Sequence, residues 1–424
     1  MELLEQRLGP AAHISAWEES ATGLVARLAA QRAYNGQVLI NHDTPLLLVR
    51  TEGVQAELEY RNDRYGYLVW ELRLRGEAPG GLLELHVVPP PPAPTPNTPE
   101  EYAAFRREFD ARPSRPPDEP AAFPAWQKDY RERLWTWLMN GHPKKVPPQV
   151  RWELVEEQET FRLERLTYRS RKDRFAVSLL ALPKGSARPV PLILALHGHE
   201  TTWGQAVVEA FRPGHVDDFC HHFASHGYAV LQPPTMDHIL QDERWTLYGE
   251  WLWDAFCGLD VALARPEVDP RRVGVVGLST GGRLAQLVLA MDERVRAGVV
   301  AGIMGTRHHF RRHFRIPPHC DCGQHKYLDP HLEQCDLAAL AAPKPVQIQH
   351  GREDHVMVPG GDPSKINLAW NTGVLDPAEF EAAMDEVRRT YRLCGAEGRI
   401  TVHYHPGGHA VDNAAALAWI SQYL

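Results

Sequence analysis

The amino-acid sequence predicts an α/β protein built around a mostly parallel sheet flanked by helices. Three observations carry that expectation. Strand-like and helical patterns alternate from about residue 155 onward. The later strand candidates are short, continuously apolar and rich in β-branched residues, as strands covered on both faces must be. One of them runs through a glycine-rich turn straight into a helix-forming segment. Strand–helix alternation implies parallel pairing with right-handed crossovers.

The strand candidates fall at 161–168, 175–182, 191–197, 228–232, 273–277, 299–303, 346–350 and 400–405. Helical patterns lie at 216–225, 250–264, 282–290, 377–392 and 410–423. The N-terminal part has a different texture. Residues 11–34 read as helix, and two runs with period-2 alternation follow, Val54, Ala56, Leu58, Tyr60 and then Leu68, Trp70, Leu72, Leu74. Alternation of that kind marks half-buried antiparallel strands. The proline-rich run from Pro89 to Pro96 excludes helix interior and favours extended geometry. A second such stretch spans Pro113 to Pro124. Residues 1–95 are therefore expected to form a small α+β accessory domain, and 96–150 a connecting region with short helices. Residues 151–424 are expected to form the main α/β domain.

Composition narrows the function classes. The 424 residues suit one large domain plus an appendage. An apolar fraction of 43% and a charged fraction of 24% are those of an ordinary globular protein. The net charge of -8 argues against a polyanionic partner, since nucleic-acid binders carry a basic face. The one basic run, His308 to Arg315, is short and local. The first residues lack the charged-then-apolar pattern of a signal peptide, and no stretch approaches the ~18 apolar residues of a membrane span. Six cysteines are too dilute for a secreted disulfide framework. A cytoplasmic protein with no nucleic-acid or membrane partner is expected, and a homo-oligomer is left open.

The chemistry concentrates at Gly277-Leu278-Ser279-Thr280-Gly281-Gly282, which follows the strand candidate and opens a helix. This is G-x-S-x-G in the strand–turn–helix setting of a nucleophile elbow. The glycines are required because a Cβ would collide across the tight turn. A serine hydroxyl needs a base to take its proton, and in α/β-hydrolases the acid and then the histidine follow the serine along the chain. The strand at 346–350 ends in Gly351-Arg352-Glu353-Asp354, an acid at the end of a strand where ligand chemistry gathers. Asp354 fits H-G-x-x-D, and Glu353 is its competitor. The last strand leads through Pro406-Gly407-Gly408 to His409, in a loop able to reach the elbow. His403 and His405 are read as sheet residues.

These motifs resemble the bacterial α/β-hydrolases of the dienelactone hydrolase and acetyl xylan esterase-like branch, and more distantly the prolyl oligopeptidases. The resemblance covers roughly residues 155–424. It rests on H-G-H at 197–199, Arg265-Pro266-Glu267-Val268-Asp269-Pro270, G-L-S-T-G-G at 277–282, H-G-R-E-D at 350–354 and G-G-H at 407–409. Dienelactone hydrolases proper carry a cysteine where this chain has Ser279. The resemblance implies an α/β-hydrolase fold and a serine esterase with the triad Ser279, Asp354 and His409. It implies oxyanion donors in the backbone N–H groups of Thr280 and His199, with Glu200 next in line. The substrate expected is a small-molecule ester with a short acyl or acetyl group, carbohydrate esters included, turned over without cofactor or metal.

Residues 304–335 are too long for a plain connection and are read as a partial lid. They contain Cys320-Asp321-Cys322 beside His319 and His325, but C-x-C is not the C-x₂-C spacing of structural zinc sites. Arg311, Arg312 and Arg315 are read as a solvated loop, with pairing to an acidic substrate as the alternative. Trp203 and Trp253 are candidates for a pocket wall, against helix packing. Two rival functions remain. One is a prolyl-oligopeptidase-like peptidase, disfavoured because residues 1–150 lack blade repeats. The other is a catalytically silent hydrolase fold used for binding.

Overall fold

The computed structural model describes residues 2–7, 12–20, 23–41, 46–61, 69–87, 97–198, 208–215, 218–233, 242–309, 331–354, 357–359 and 373–424. The chain divides into two compact units, the first built on Met1–Ala93 and the second on the chain from Pro94.

The first unit contains strands β1 (Glu2–Arg7), β2 (Ala12–Ser20), β3 (Gly23–Ala30), β4 (Tyr34–Asn41), β5 (Leu46–Glu52), β6 (Val54–Arg61), β7 (Val69–Gly76) and β8 (Gly80–Val87). They form two four-stranded antiparallel sheets, ordered β1-β4-β7-β6 and β2-β3-β8-β5. Leu24, Ala26, Leu28, Leu83 and Leu85 from one sheet meet Tyr34, Val38, Val54, Leu72 and Leu74 from the other in one buried cluster. The helix expected over 11–34 is not formed. That stretch is the hairpin β2–β3, and among the described residues the unit holds strands alone. The reason is visible in the burial. Ala12 and Ile14 are buried around an exposed His13, and Leu24, Ala26 and Leu28 are buried around an exposed Arg27. A two-residue period serves a sheet face, and it overrides the helix propensity of the Leu, Ala and Arg residues in this stretch.

The second unit opens with α1 (Pro99–Ala111) and α2 (Phe123–Met139), the latter longer than the short helices expected. Thr98 and Glu101 form a capping box that starts α1, and Phe105 and Phe109 bury its inner face. Then follow β9 (Arg151–Glu157), β10 (Phe161–Arg171), β11 (Arg174–Pro183), β12 (Val190–Leu196), α3 (Phe219–Ser225), β13 (Ala229–Gln232), α4 (Leu247–Leu263), β14 (Val268–Leu278) and α5 (Thr280–Met291). The chain continues through β15 (Val295–Ala301), α6 (Gln334–Ala341), β16 (Val346–Gly351), β17 (Met357–Pro359), β18 (Gly373–Leu375), α7 (Pro377–Leu393), β19 (Ile400–His405) and α8 (Asn413–Ile420).

Nine of these strands make one sheet in the order β19-β16-β15-β14-β12-β13-β11-β10-β9. The run from β19 to β13 is parallel, and β11, β10 and β9 continue it antiparallel. This is the mostly parallel sheet flanked by helices that the sequence predicts. Strand order reverses at β12, since β13 lies on one side of it and β14 on the other. The carboxyl ends of β12 and β14 therefore border the crevice where open α/β sheets bind ligands. Val273, Val275 and Val276 of β14 are fully buried, so the central strand is a rigid base for the residue that follows it. Among the described residues no helix is long and apolar enough to cross a membrane.

Candidate active site

Ser279 stands between β14 and α5 with φ 56° and ψ −119°, a backbone conformation that non-glycine residues rarely adopt. Neighbouring backbone enforces it. A Cβ on Gly277 would lie 2.1 Å from the Gly281 carbonyl oxygen, and one on Gly281 would lie 2.0 Å from that of Leu196. The Ser279 N–H donates to the Ala301 carbonyl at 2.8 Å, fixing the turn to the end of β15. Ser279 and Thr280 are part-exposed, whereas Leu278 and Gly281 on either side are buried. The local sequence thus sets Ser279 in the tight turn just past the carboxyl end of β14.

Asp354 and His409 come together as a pair. His409 Nδ1 lies 3.0 Å and 2.9 Å from the two carboxylate oxygens of Asp354. The carboxylate is fully buried and the imidazole nearly so. Glu353, the competing acid, is exposed. The two loops carrying the pair are knitted by backbone. Arg352 N–H donates to the His405 carbonyl at 2.8 Å and Glu353 N–H to that of Gly407 at 3.1 Å. Gly351 lies so close that a Cβ there would be 2.1 Å from the Gly408 oxygen.

The imidazole rests on Gly302, the residue after Ala301. A Cβ on Gly302 would lie 2.8 Å from His409 Cε1. Because Ala301 accepts from Ser279 and Gly302 supports His409, the end of β15 brings the serine and the histidine to the same place. Gly302 has φ +63°, which suits a residue without a side chain. It is a lone glycine whose role comes from a strand pairing, and no local motif marks it.

Two further histidines are buried nearby. His350, at the end of β16, and His197, after β12, are each pulled down to about 4 by burial. For His350 the Asp354 carboxylate opposes that pull and the His409 and His405 rings add to it. His350 packs edge-on against Phe380, so it is a neutral core residue beneath the acid loop. His403 pairs with Asp412 at 2.8 Å, and His405 Nδ1 accepts from Gly407 N–H at 3.2 Å. Both are β19 residues with structural partners. Trp253 is buried and donates from Nε1 to the Ser170 carbonyl at 2.8 Å, so it braces α4 against β10.

His199, Glu200 and Trp203 lie outside the described residues. The turn that leads to His199 does not: Gly281 packs against the Leu196 and His197 carbonyls, so the H-G segment borders the elbow. Thr280 is the first residue of α5, where free N–H groups and the helix dipole favour negative charge. Of the stretch 304–335, the basic run from residue 310 and the Cys320–Cys322 segment also lie outside the description. Its two ends are bonded together. Gly305 N–H donates to Gln334 Oε1 at 2.8 Å and Arg307 N–H to Glu333 Oε1 at 2.7 Å. Among the described residues no cluster of His, Cys, Asp and Glu is arranged to hold a metal ion.

Comparison with known proteins agrees with this architecture. Residues 126–327 match the model of the acetyl xylan esterase (AXE1) family, a range that includes Ser279 and stops before Asp354 and His409. Over 230 residues the chain is 24% identical to a Bacillus subtilis (strain 168) protein named "Putative hydrolase YtaP", covering 49% of this chain and 75% of that one. It is 26% identical over 209 residues to carbohydrate esterase MZ0003 of an unknown prokaryotic organism, covering 45% of this chain and 46% of that one. The structure superposes on a CE15 glucuronoyl esterase from Teredinibacter turnerae T7901 with a TM-score of 0.53 at 16% identity, covering 77% of this chain and 91% of that one. The fold is thus the α/β-hydrolase fold. The family match falls on the part of the chain whose motifs carry the resemblance to the acetyl xylan esterase-like branch, and it supports a carboxylic ester hydrolase.

Proposed function

We propose that this protein cleaves short-chain acyl esters of carbohydrates through an acyl-enzyme on Ser279. His409 takes the proton as Ser279 Oγ attacks the ester carbonyl, and Asp354 orients the ring and stabilises the imidazolium. The N–H groups of Thr280 and His199 receive the oxyanion, each such donor being worth about 10²–10³ in rate. The alcohol leaves with the proton from His409, and water then releases the acid by the reverse sequence. The observation that carries this reading is the doubly accepting Asp354 carboxylate behind His409, held over Gly302 at the end of the strand that anchors Ser279. The carbohydrate part of the proposal draws on the acetyl xylan esterase match and on the carbohydrate esterase relative.

Hydrolysis of p-nitrophenyl acetate, butyrate and octanoate, side by side with Ser279→Ala, tests the chemistry. Fast acetate turnover that collapses by several orders of magnitude in the variant is expected. Equal, feeble rates in both proteins would overturn the reading. Acetylated xylan and the methyl ester of glucuronic acid, offered in parallel, then test the leaving side. Acetate release is expected to dominate, and methanol release alone would move the acid part of the substrate onto the sugar. A peptidase reading finds no support in the two four-stranded sheets of the first unit, which form no blade repeats among the described residues.

A further inference from the structure

We infer that Gln349 is a positioning residue for His409, holding the histidine loop and the floor beneath the imidazole from one buried position on β16. The inference rests on His409 acting as the base of the proposed triad. Gln349 is fully buried, and its side chain and backbone face two different walls of the site. Its Oε1 accepts from Asp412 N–H at 2.8 Å, and its Nε2 donates to the Asp412 carbonyl at 3.3 Å and to Gln347 Oε1 at 2.8 Å. Its own backbone carbonyl accepts from Gly302 N–H at 2.9 Å. Gly302 is the residue on which the His409 ring rests.

Asp412 lies three residues past His409, at the point where the loop enters α8. Its side chain caps that helix through Ala415 N–H at 3.1 Å and pairs with His403 at 2.8 Å. The front of the loop is tied to the acid turn by the Arg352–His405 and Glu353–Gly407 hydrogen bonds. Gln349 supplies the corresponding tie at the back. A buried amide that satisfies both the backbone donor and the backbone acceptor of one residue holds the two peptides that flank its Cα. Without it the loop keeps its front anchors and can swing about them, carrying the imidazole off the line to Ser279.

The test compares kcat and KM for p-nitrophenyl acetate in four variants. Gln349→Met keeps the length and removes both bonds to Asp412. Gln349→Asn keeps the amide and withdraws it by one methylene. Each is expected to lose about 10²-fold in kcat with KM changed less than about threefold, as misplacement of a catalytic group by an ångström does. Gln349→Glu retains an oxygen facing Asp412 N–H but turns an acceptor toward the Asp412 carbonyl and Gln347 Oε1, so it is expected to lose about as much as Gln349→Met. His409→Ala separates the two readings. If it stays active, the triad fails. If it is dead while either Gln349→Met or Gln349→Asn turns over at the wild-type kcat, the positioning role fails. A Gln349→Glu protein at the wild-type kcat would also overturn the role, since it lacks the donor to Asp412.

Discussion

Gly302 carries the His409 imidazole on its bare Cα, with room for nothing larger. A Cβ there would lie 2.8 Å from Cε1 and 3.0 Å from Nδ1 of the ring, and 3.2 Å from Leu278. The backbone adds a second objection, because φ +63° costs an L-residue roughly 1–2 kcal/mol. Gly302→Ala is therefore expected to lower kcat at least about 10²-fold and to lower stability by about 1–2 kcal/mol. Ester hydrolysis and thermal melting of the same preparation check both.

The two carboxylates of the acid turn should separate cleanly. Asp354→Asn leaves the size unchanged but offers His409 an amide, and in a triad of this kind the loss is about 10⁴ in kcat. Glu353→Gln alters an exposed side chain and should leave kcat within about twofold. A large effect at Glu353 with a small one at Asp354 would reverse the assignment.

Strain at the elbow gives a stability prediction opposite in sign to the activity one. Ser279 sits at φ 56°, ψ −119°, a position costing of order 1–3 kcal/mol for any residue with a Cβ. Ser279→Gly should abolish turnover and raise the unfolding midpoint. Ser279→Ala should abolish turnover and leave the midpoint nearly where it was. A Gly variant less stable than the Ala variant would show that the turn is not strained.

Acid sensitivity should come in part from the buried histidines. Burial holds His350 and His197 at about 4 in the folded protein, against 6.5 for an ordinary histidine. As the pH falls from about 6.5, the unfolded chain takes up these protons first, so stability is lost down to about pH 4 and is fully present above 6.5. By pH 5 each contributes a loss of up to about 2 kcal/mol. His350→Phe, which keeps the ring contact with Phe380, should flatten the dependence between pH 7 and 5. Urea midpoints across that range provide the measurement.

A buried ion pair away from the site is expected to matter when broken singly. Arg112 and Asp336 are 2.7 Å apart with both side chains essentially buried, and Ser114 donates to the same carboxylate at 2.5 Å. Burial tends to lower the Arg112 value, yet Cys335, Asp336 and Glu386 together push it well above that of a free arginine. Arg112→Met strands the Asp336 charge and should cost about 3–5 kcal/mol. Arg112→Met combined with Asp336→Leu should recover a large part, read in the same urea titration.

How much could be read from the chain beforehand follows from how local each signal is. The elbow is a contiguous motif, and its glycines and strand–helix flanks lie within a dozen residues of Ser279. Asp354 and His409 each sit just past a strand end, so their neighbourhood needs only the order of parallel strands. Gln349 and Gly302 carry no motif, because they meet only through the register of β15 against β16, where Ala301 faces Gln349. The hairpin at 12–30 was hidden by composition. Leu, Ala and Arg favour helix locally, and only pairing with β8 and burial against the other sheet reveal the two-residue period.

The base follows the outermost strand of the nine-stranded sheet, since among the described residues β19 pairs with β16 alone while β14, which leads to Ser279, is central. Edge elements open locally at lower free energy than the centre of a core. A transient departure of β19 with α8 removes His409 yet leaves the elbow folded. On warming, catalysis should therefore fade before the fold cooperatively melts, and amide exchange across 400–420 should outpace that of 273–291. The enzyme's working range is then set by the fraying of one border rather than by the firmness of its interior.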